Sequence, residues 1–298
     1  MSEVVVSEQV DVVPDGKLLV NRRSPIPFLL LPAGMLIGVL IVCGLLVIRI
    51  SLGDRNYEWS TWSAAAYSQL ANPRYIGIIV DTIWMAVMSA AITVVVAFPI
   101  ALYMTRTPSH VMRRLVLIAV MLPMVVSLLV QSFGWVAILG PDGLLNRLLS
   151  MATGTERPLM LLFNRTGVLL GLIQTTLPFA VLPIAAALQS IPVELEEAAN
   201  VLGANRMRTY RHVILPLSLQ GMLAGGILVF GFNTGAFVVP LLLGGQKVIT
   251  IAIVIRDQMG TLSNWPLGAA LSVLLVILAL GVQATNRLVA PPAQPTRH

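Results

Sequence analysis

The sequence predicts an all-α membrane protein with six transmembrane helices, because its charged residues are few and clustered. Of the 298 residues, 57% are hydrophobic and 11% are charged, whereas an average soluble domain carries about 25% charged residues. A soluble chain of this size could not cover its surface with so few polar side chains. Lipid is therefore the expected solvent around most of the chain.

Six long uncharged windows each meet the length of a transmembrane helix, which needs roughly 20 mostly apolar residues. The windows are Phe28–Ile48, Thr82–Thr105, Leu115–Pro141, Thr166–Val193, Val213–Gln246 and Gln258–Asn286. Transmembrane β-strands alternate in polarity and are only about 10 residues long. The windows therefore indicate helices rather than a barrel.

The windows divide the chain into a membrane core with polar flanks. We expect an N-terminal tail over residues 1–27, a first transmembrane helix over 28–50 and an extracytoplasmic loop over 51–77. Residues 78–287 are expected to form the core with the other five helices. A second tail is expected over residues 288–298.

The positions of the basic residues predict that both tails are cytoplasmic. The short loop after the second window holds Arg106, Arg113 and Arg114 and no acidic residue. Short loops weigh most in the positive-inside rule. The net charge of +6 is therefore interpreted as membrane orientation, and we expect no nucleic-acid partner.

The sequence lacks the patterns of phosphate binding, metal binding and covalent catalysis. No Gly-x-x-x-x-Gly-Lys-Ser/Thr loop is present. The histidines His110, His212 and His298 lie far apart, and Cys43 is the single cysteine. We expect no catalytic residue, no metal and no cofactor. A secondary transporter would need coupling-ion sites or inverted repeats, and neither is visible; it stays a distant alternative.

The fourth and fifth windows are irregular and are predicted to line a pathway. The fourth contains Pro178 and Pro183, and the fifth is rich in glycine. Such breaks are tolerated at membrane depth where protein or a watery cavity satisfies the freed backbone groups. Candidate pathway residues in the spans are Gln131, Gln174, Asn233, Thr234 and Phe237. A hydrogen bond between helices is the alternative role for each polar one.

The longest inside loop, residues 191–216, has the pattern of two short helices joined by a turn. Pro192 suits the first helical position, and three glutamates fill the first turn, where the helix dipole favours anions. An apolar stripe at helical spacing follows, formed by Leu195, Ala198, Ala199 and Leu202. Gly203 ends this helix because glycine readily adopts a left-handed conformation. A second short helix then leads to Pro216.

This loop resembles the EAA signature of binding-protein-dependent ABC importer permeases. Glu197-Ala198-Ala199 precedes Gly203, and Val213-Ile214-Leu215-Pro216 follows it at the family's spacing, with Val213 where the family has Ile. The resemblance extends over roughly residues 62–287. Asp81-Thr82-Ile83 is similar to the family's Asn-Thr-Leu, with Asp replacing Asn. The end of the second predicted helix is similar to the family's Pro-x-Ala-x-Tyr-x-x-Arg, with Pro99, Ala101, Tyr103 and Arg106 at the matching positions.

The resemblance implies a type I ABC importer permease fold in the inner (plasma) membrane. In that family the EAA loop is a coupling helix seated in a cleft of the ATPase. The implied ATPase-coupling residues are Glu197, Ala198, Ala199, Gly203, Val213, Leu215 and Pro216. The implied partners are an ATP-binding cassette ATPase dimer, a second permease subunit in a heterodimer and an extracytoplasmic substrate-binding protein. ATP hydrolysis would take place in the ATPase, so this chain is not expected to be an enzyme.

Two further segments, residues 235–245 and 264–270, resemble the spermidine/putrescine permease branch. This resemblance implies polyamine transport. Importers for opines, iron, sulfate or phosphonates share similar segments, so these substrates stay open.

Overall fold

The structure is a computed structural model and describes residues 26–54, 62–154 and 160–289. Within these ranges the regular structure is helical, and no strand is present. The helices are α1 (Ile26–Ser51), α2 (Ala65–Leu70), α3 (Pro73–Arg106), α4 (His110–Val125), α5 (Leu128–Leu139), α6 (Leu144–Thr153), α7 (Arg165–Gln189), α8 (Val193–Val201), α9 (Arg206–Thr209), α10 (Leu215–Thr234), α11 (Ile251–Arg256) and α12 (Trp265–Val289). The predicted tails lie almost entirely outside the described residues.

Six stretches of the described chain are long and apolar enough to cross a membrane. They are Pro32–Ser51, Pro73–Arg106, Leu128–Ala152, Arg165–Gln189, Arg206–Thr234 and Trp265–Ala284. The predicted all-α class with six transmembrane helices is confirmed. The described residues up to Leu46 form one unit, and the other described residues form a second unit, which contains the core described below.

The third window differs from the prediction, because it is not one helix. α4 ends at Val125, Ser127 is extended with ψ 134°, and α5 begins at Leu128. The 12 residues of α5 rise only about 18 Å, which is short of the roughly 30 Å hydrocarbon core. The stretch that qualifies by composition continues into α6, but it passes through the turn at Asp142. We therefore interpret this crossing as α4 and α5 together.

The core is built on α3, α7 and α10, which pack on one another. The α7–α10 contact is close because glycines of α10 face α7. A Cβ atom built on Gly221 would lie 2.5 Å from the Cβ of Ala187 and 2.8 Å from the carbonyl oxygen of Pro183. One built on Gly225 would lie 3.1 Å from the Cα of Ala180. Small residues at this four-residue spacing are the usual means of close helix packing in membranes.

The fifth crossing is a continuous helical stretch that contains a π-turn. The π-turn covers Tyr210–Ile214, between α9 and α10, and its closing bond runs from the Leu215 N–H to the Tyr210 carbonyl. Pro216 follows directly, and a proline inside a helix removes a donor and clashes with the preceding turn. A π-turn is a known way to absorb such a defect. The stretch ends at Thr234, so the glycine-rich remainder of the long fifth window is not part of this helix.

The second crossing begins earlier than its uncharged window. Asn72 caps α3 by accepting a hydrogen bond from the Arg74 N–H at 3.0 Å, and Pro73 occupies the first position. The helix therefore starts inside the predicted loop 51–77. The start of this helix is set by the Asn72 cap and by Pro73. The helix therefore includes the charged residue Asp81, which the uncharged window left out.

Candidate functional site

The segment after α7 folds as two short helices joined by a tight turn. α8 ends at Val201, and Gly203 has φ 81°, which confirms the predicted left-handed glycine. The Ala204 N–H donates to the Ala199 carbonyl at 3.0 Å, as in a Schellman motif. Asn205 then caps α9 by accepting from the Arg208 N–H at 2.8 Å. The turn is thus determined locally by glycine at one position and asparagine two residues later.

This helix–turn–helix exposes large apolar side chains. Val201 and Leu202 are each 87% exposed, and Met207 is 73% exposed. Glu197 and Ala198 are also exposed, whereas Ala199 is half-buried. No side chain of the described residues meets a Cβ built on Gly203. The turn is therefore open to another surface.

The second part of the signature connects this segment to the core. Ile214 is fully buried beside Leu188 of α7 and Ala101 of α3 in one apolar cluster. Its neighbours Val213 and Leu215 are half-buried, and Pro216 is exposed. These residues lead from the π-turn into α10, at the end where α3 and α7 finish.

An ion pair holds α8 to α3, and sequence reasoning missed it. The Arg106 guanidinium approaches the Glu196 carboxylate at 2.5 Å, and the two side chains are only 20% and 19% exposed. The prediction assigned Arg106 to membrane orientation and Glu197 to coupling. The structure instead pairs the neighbouring glutamate with Arg106, while Glu197 stays exposed.

Gln131 lies at the break between α4 and α5 and caps the end of α4. Its side-chain amide donates to the carbonyls of Pro123 and Val126, the latter at 2.7 Å. It also lines a hollow of about 360 Å³ that includes Thr175 and the stacked rings of Phe179 and Phe232, whose centroids are 5.2 Å apart. This side chain thus satisfies backbone carbonyls at the end of α4 and also lines the hollow.

The other candidate pathway residues have different environments. Gln174 accepts a hydrogen bond from the Trp135 indole at 3.2 Å. Asn233 is buried and donates to the Ser89 hydroxyl of α3 at 2.8 Å, and Thr234 is fully buried and donates to the carbonyl oxygen of Phe230. Asn233 therefore joins α10 to α3, whereas the Thr234 hydroxyl is bonded within α10.

Phe237 lines a second hollow of about 260 Å³, next to the first. Thr175 and Phe232 line both hollows. The Arg256 guanidinium lies 5.7 Å from the centre of the Phe237 ring. A basic side chain therefore lies close to an aromatic ring that lines this second hollow.

The far end of α3 is fastened by the residues that resemble the family's Asn-Thr-Leu. The Thr82 hydroxyl is buried and accepts a hydrogen bond from the Ile251 N–H at 3.0 Å. Asp81 pairs with Arg165 at 2.7 Å, although both side chains are about half exposed. Thr82 therefore joins α3 to α11, and Asp81 joins it to the start of α7.

Comparison with known proteins agrees with this architecture. Residues 92–292 match the family described as binding-protein-dependent transport system inner membrane component. The chain is 32% identical over 266 residues to the spermidine/putrescine transport system permease protein PotB of Haemophilus influenzae, covering 88% of this chain and 92% of that protein. It is 35% identical over 233 residues to the inner membrane ABC transporter permease protein YdcU of Escherichia coli, covering 74% of each.

A solved structure shares the fold. It is the crystal structure of a bacterial ABC transporter involved in the import of the acidic polysaccharide alginate. The TM-score is 0.73 at 18% identity, and the match covers 91% of this chain and 98% of that one.

Six stretches able to cross a membrane, together with the similarity to inner-membrane permeases, indicate a multi-pass inner-membrane transport protein. The chain belongs to the family of binding-protein-dependent transport system inner membrane components. It is thus an ABC importer permease that resembles the polyamine branch, a transport subunit rather than an enzyme.

Proposed function

We propose that this chain forms half of the translocation pathway of an ATP-driven importer and that its α8–α9 segment receives an ATPase subunit. The observation that carries the proposal is the exposed apolar surface around the Gly203 turn. Val201, Leu202 and Met207 extend away from the core on a segment that also carries many charges. Exposed apolar patches of this kind mark protein interaction sites, and a helix seated in a groove is a common recognition mode.

ATP binding and hydrolysis take place in the partner under this proposal, so their energy must reach the membrane helices mechanically. The EAA signature supports the α8–α9 segment as the receiving element. Glu197, Ala198 and Ala199 lie on α8 before the turn at Gly203. On the other side of the turn, Val213 lies in the π-turn and Leu215 and Pro216 start α10. A displacement of the segment therefore acts on a membrane helix that continues from it.

The α8 end of the bundle is cytoplasmic in this proposal, with both termini on that side. Support comes from the arginines at that end. They are Arg106, Arg113, Arg114, Arg206, Arg208 and Arg211. Such a cluster at short loops is favoured on the cytoplasmic side.

The pathway itself requires a second permease subunit, in a heterodimer. The hollows lined by Gln131 and Phe237 are open in the single chain, which supports a facing partner. Gln174 is joined to α5 through the Trp135 indole. Asn233 contributes by holding α10 against α3, and the buried Thr234 follows it at the end of α10. An extracytoplasmic binding protein delivers the substrate to this pair.

The proposed substrate is a polyamine, putrescine or spermidine. The similarity to PotB supports it. The described residues that line the hollows are neutral, and the rings of Phe179 and Phe232 offer faces to which an ammonium group is attracted, whereas the Phe237 ring already has the Arg256 guanidinium beside it. Another small solute, such as an opine, iron, sulfate or a phosphonate, is the second candidate because related importers share the same segments.

Uptake into vesicles tests the proposed function. The chain is reconstituted with its second permease, ATPase and binding protein, and labelled putrescine is supplied outside. We expect uptake that needs both ATP and the binding protein and that excess unlabelled spermidine suppresses. A phosphonate or sulfate at the same concentration serves as the control and is expected to have no effect. Suppression by the phosphonate or sulfate but not by spermidine would overturn the polyamine assignment and leave the permease role intact.

A further inference from the structure

The ion pair between Arg106 and Glu196 is better shielded than the two other salt bridges in the described parts of the chain. Its side chains are 20% and 19% exposed, against 55% and 47% for Arg165 and Asp81. The contacting atoms, one guanidinium nitrogen and one carboxylate oxygen, are closed off from solvent. Half-exposed ion pairs contribute little, whereas a shielded charge without its partner is costly. The two charges of this pair therefore depend on each other.

The pair occupies a point where α8 has few other attachments. At its start α8 follows Ile191, which is buried in the apolar cluster with Ala101 and Met104 of α3. Beyond that point the side chains of Val193, Leu195 and Glu197 are all exposed. One attachment would leave α8 free to pivot about Ile191. The ion pair adds a second attachment five residues further along.

The partner on the core side is the last residue of a long single helix. α3 has 34 residues and is therefore about 51 Å long. Its far end is fastened by the hydrogen bond between Thr82 and the Ile251 N–H. A displacement of α8 that is passed to Arg106 would thus reach the opposite end of the bundle through one element.

We propose that Arg106 and Glu196 are positioning residues that join α8 to α3, so that movement of a docked ATPase is carried to α3. This inference rests on the proposed function, in which α8 receives the ATPase. Neither residue is needed for docking itself, because the exposed docking surface around Val201, Leu202 and Gly203 does not include them.

Charge exchange in the full transporter tests the inference. Arg106→Glu and Glu196→Arg are made singly and together, and Arg106→Lys keeps the charge. We expect each single reversal to retain co-purification of the ATPase but to lose binding-protein-stimulated ATP hydrolysis and uptake by roughly tenfold, since each leaves an uncompensated shielded charge. The double exchange is expected to regain most of both activities. Arg106→Lys is expected to stay within about threefold of wild type, since lysine keeps the positive charge and the pair is made through one guanidinium nitrogen rather than a bidentate fork.

Arg113→Glu is the matched control, because Arg113 is an exposed arginine in the first turn of α4, close in sequence to Arg106, and its reversal should leave stimulation unchanged. Wild-type stimulation in both single variants would overturn the inference. So would a double variant as impaired as the singles, whether the loss appears in membrane abundance or in stimulation. Failure of the ATPase to co-purify with the wild-type chain would instead refute the proposed function, so the two failures are distinguishable.

Discussion

Gly203→Asp is expected to leave a folded permease in the membrane that no longer binds its ATPase or transports. Gly203 has φ 81°, and a side chain in the left-handed region costs roughly 1–2 kcal/mol, least for Asp and Asn. A Cβ at this position meets no atom of the described residues within 4 Å, so the described fold gives no steric reason for misfolding. The new carboxylate would instead project from the turn between Leu202 and Ala204, where the partner is proposed to approach.

The measurement is co-purification of the ATPase together with substrate-stimulated ATP hydrolysis. Gly203→Asn is the matched control, because asparagine has almost the same shape and accepts the left-handed conformation. The difference between the two variants isolates the added charge, and Gly203→Ala reports the backbone strain. Loss of the Glu197 carboxylate should weaken coupling less, since a partly exposed ion pair contributes only ~0–1 kcal/mol. Normal co-purification and normal stimulation in Gly203→Asp would show that this turn is not the coupling element.

Gly221→Ala is expected to reduce the stability of the whole membrane bundle. The added methyl group would overlap the Cβ of Ala187 and the carbonyl oxygen of Pro183, at 2.5 and 2.8 Å. The carbonyl belongs to the backbone and cannot rotate away, so α7 and α10 must separate. Overpacking of a core typically costs about 1–3 kcal/mol. Thermal unfolding of the purified complex in detergent should therefore begin at a lower temperature.

Gly231→Ala is the comparison for this variant because it lies in the same helix, α10. A Cβ at Gly231 meets no atom within 4 Å, and alanine is the better helix former by roughly 1 kcal/mol. Its unfolding temperature should equal or exceed that of wild type. If both variants behaved alike, the α7–α10 contact would not be the close packing that the structure describes.

The number of crossings could be predicted from sequence because it depends on composition along the chain. A helix in lipid needs about 20 apolar residues, and the six windows report that requirement directly. The break in the third window was missed, although Pro123 and Ser127 lie within it. Whether a helix can end at membrane depth depends on what satisfies the carbonyls left free at its end. Here that is the side chain of Gln131, which only the folded structure reveals.

The candidate site divides in the same way between local and long-range features. The conformation of Gly203 follows from its own lack of a side chain and from its immediate neighbours, so the sequence indicates it. The pairing of Arg106 with Glu196 joins residues that are ninety positions apart and follows only from the packing of α3 against α7. A single sequence shows both charges but not their contact.

The central claim, that an ATPase docks on the α8–α9 turn, is tested most directly by site-specific cross-linking. Cys43 is the single native cysteine, so Leu202→Cys is placed in a Cys43→Ser background. Leu202 is highly exposed and has no packing role within the described chain. Lys247→Cys, an exposed position in the loop leading to Ile251 at the far end of α3, serves as the control. The account predicts a cross-link to the ATPase from position 202 and none from position 247; a cross-link from position 247 alone would contradict it.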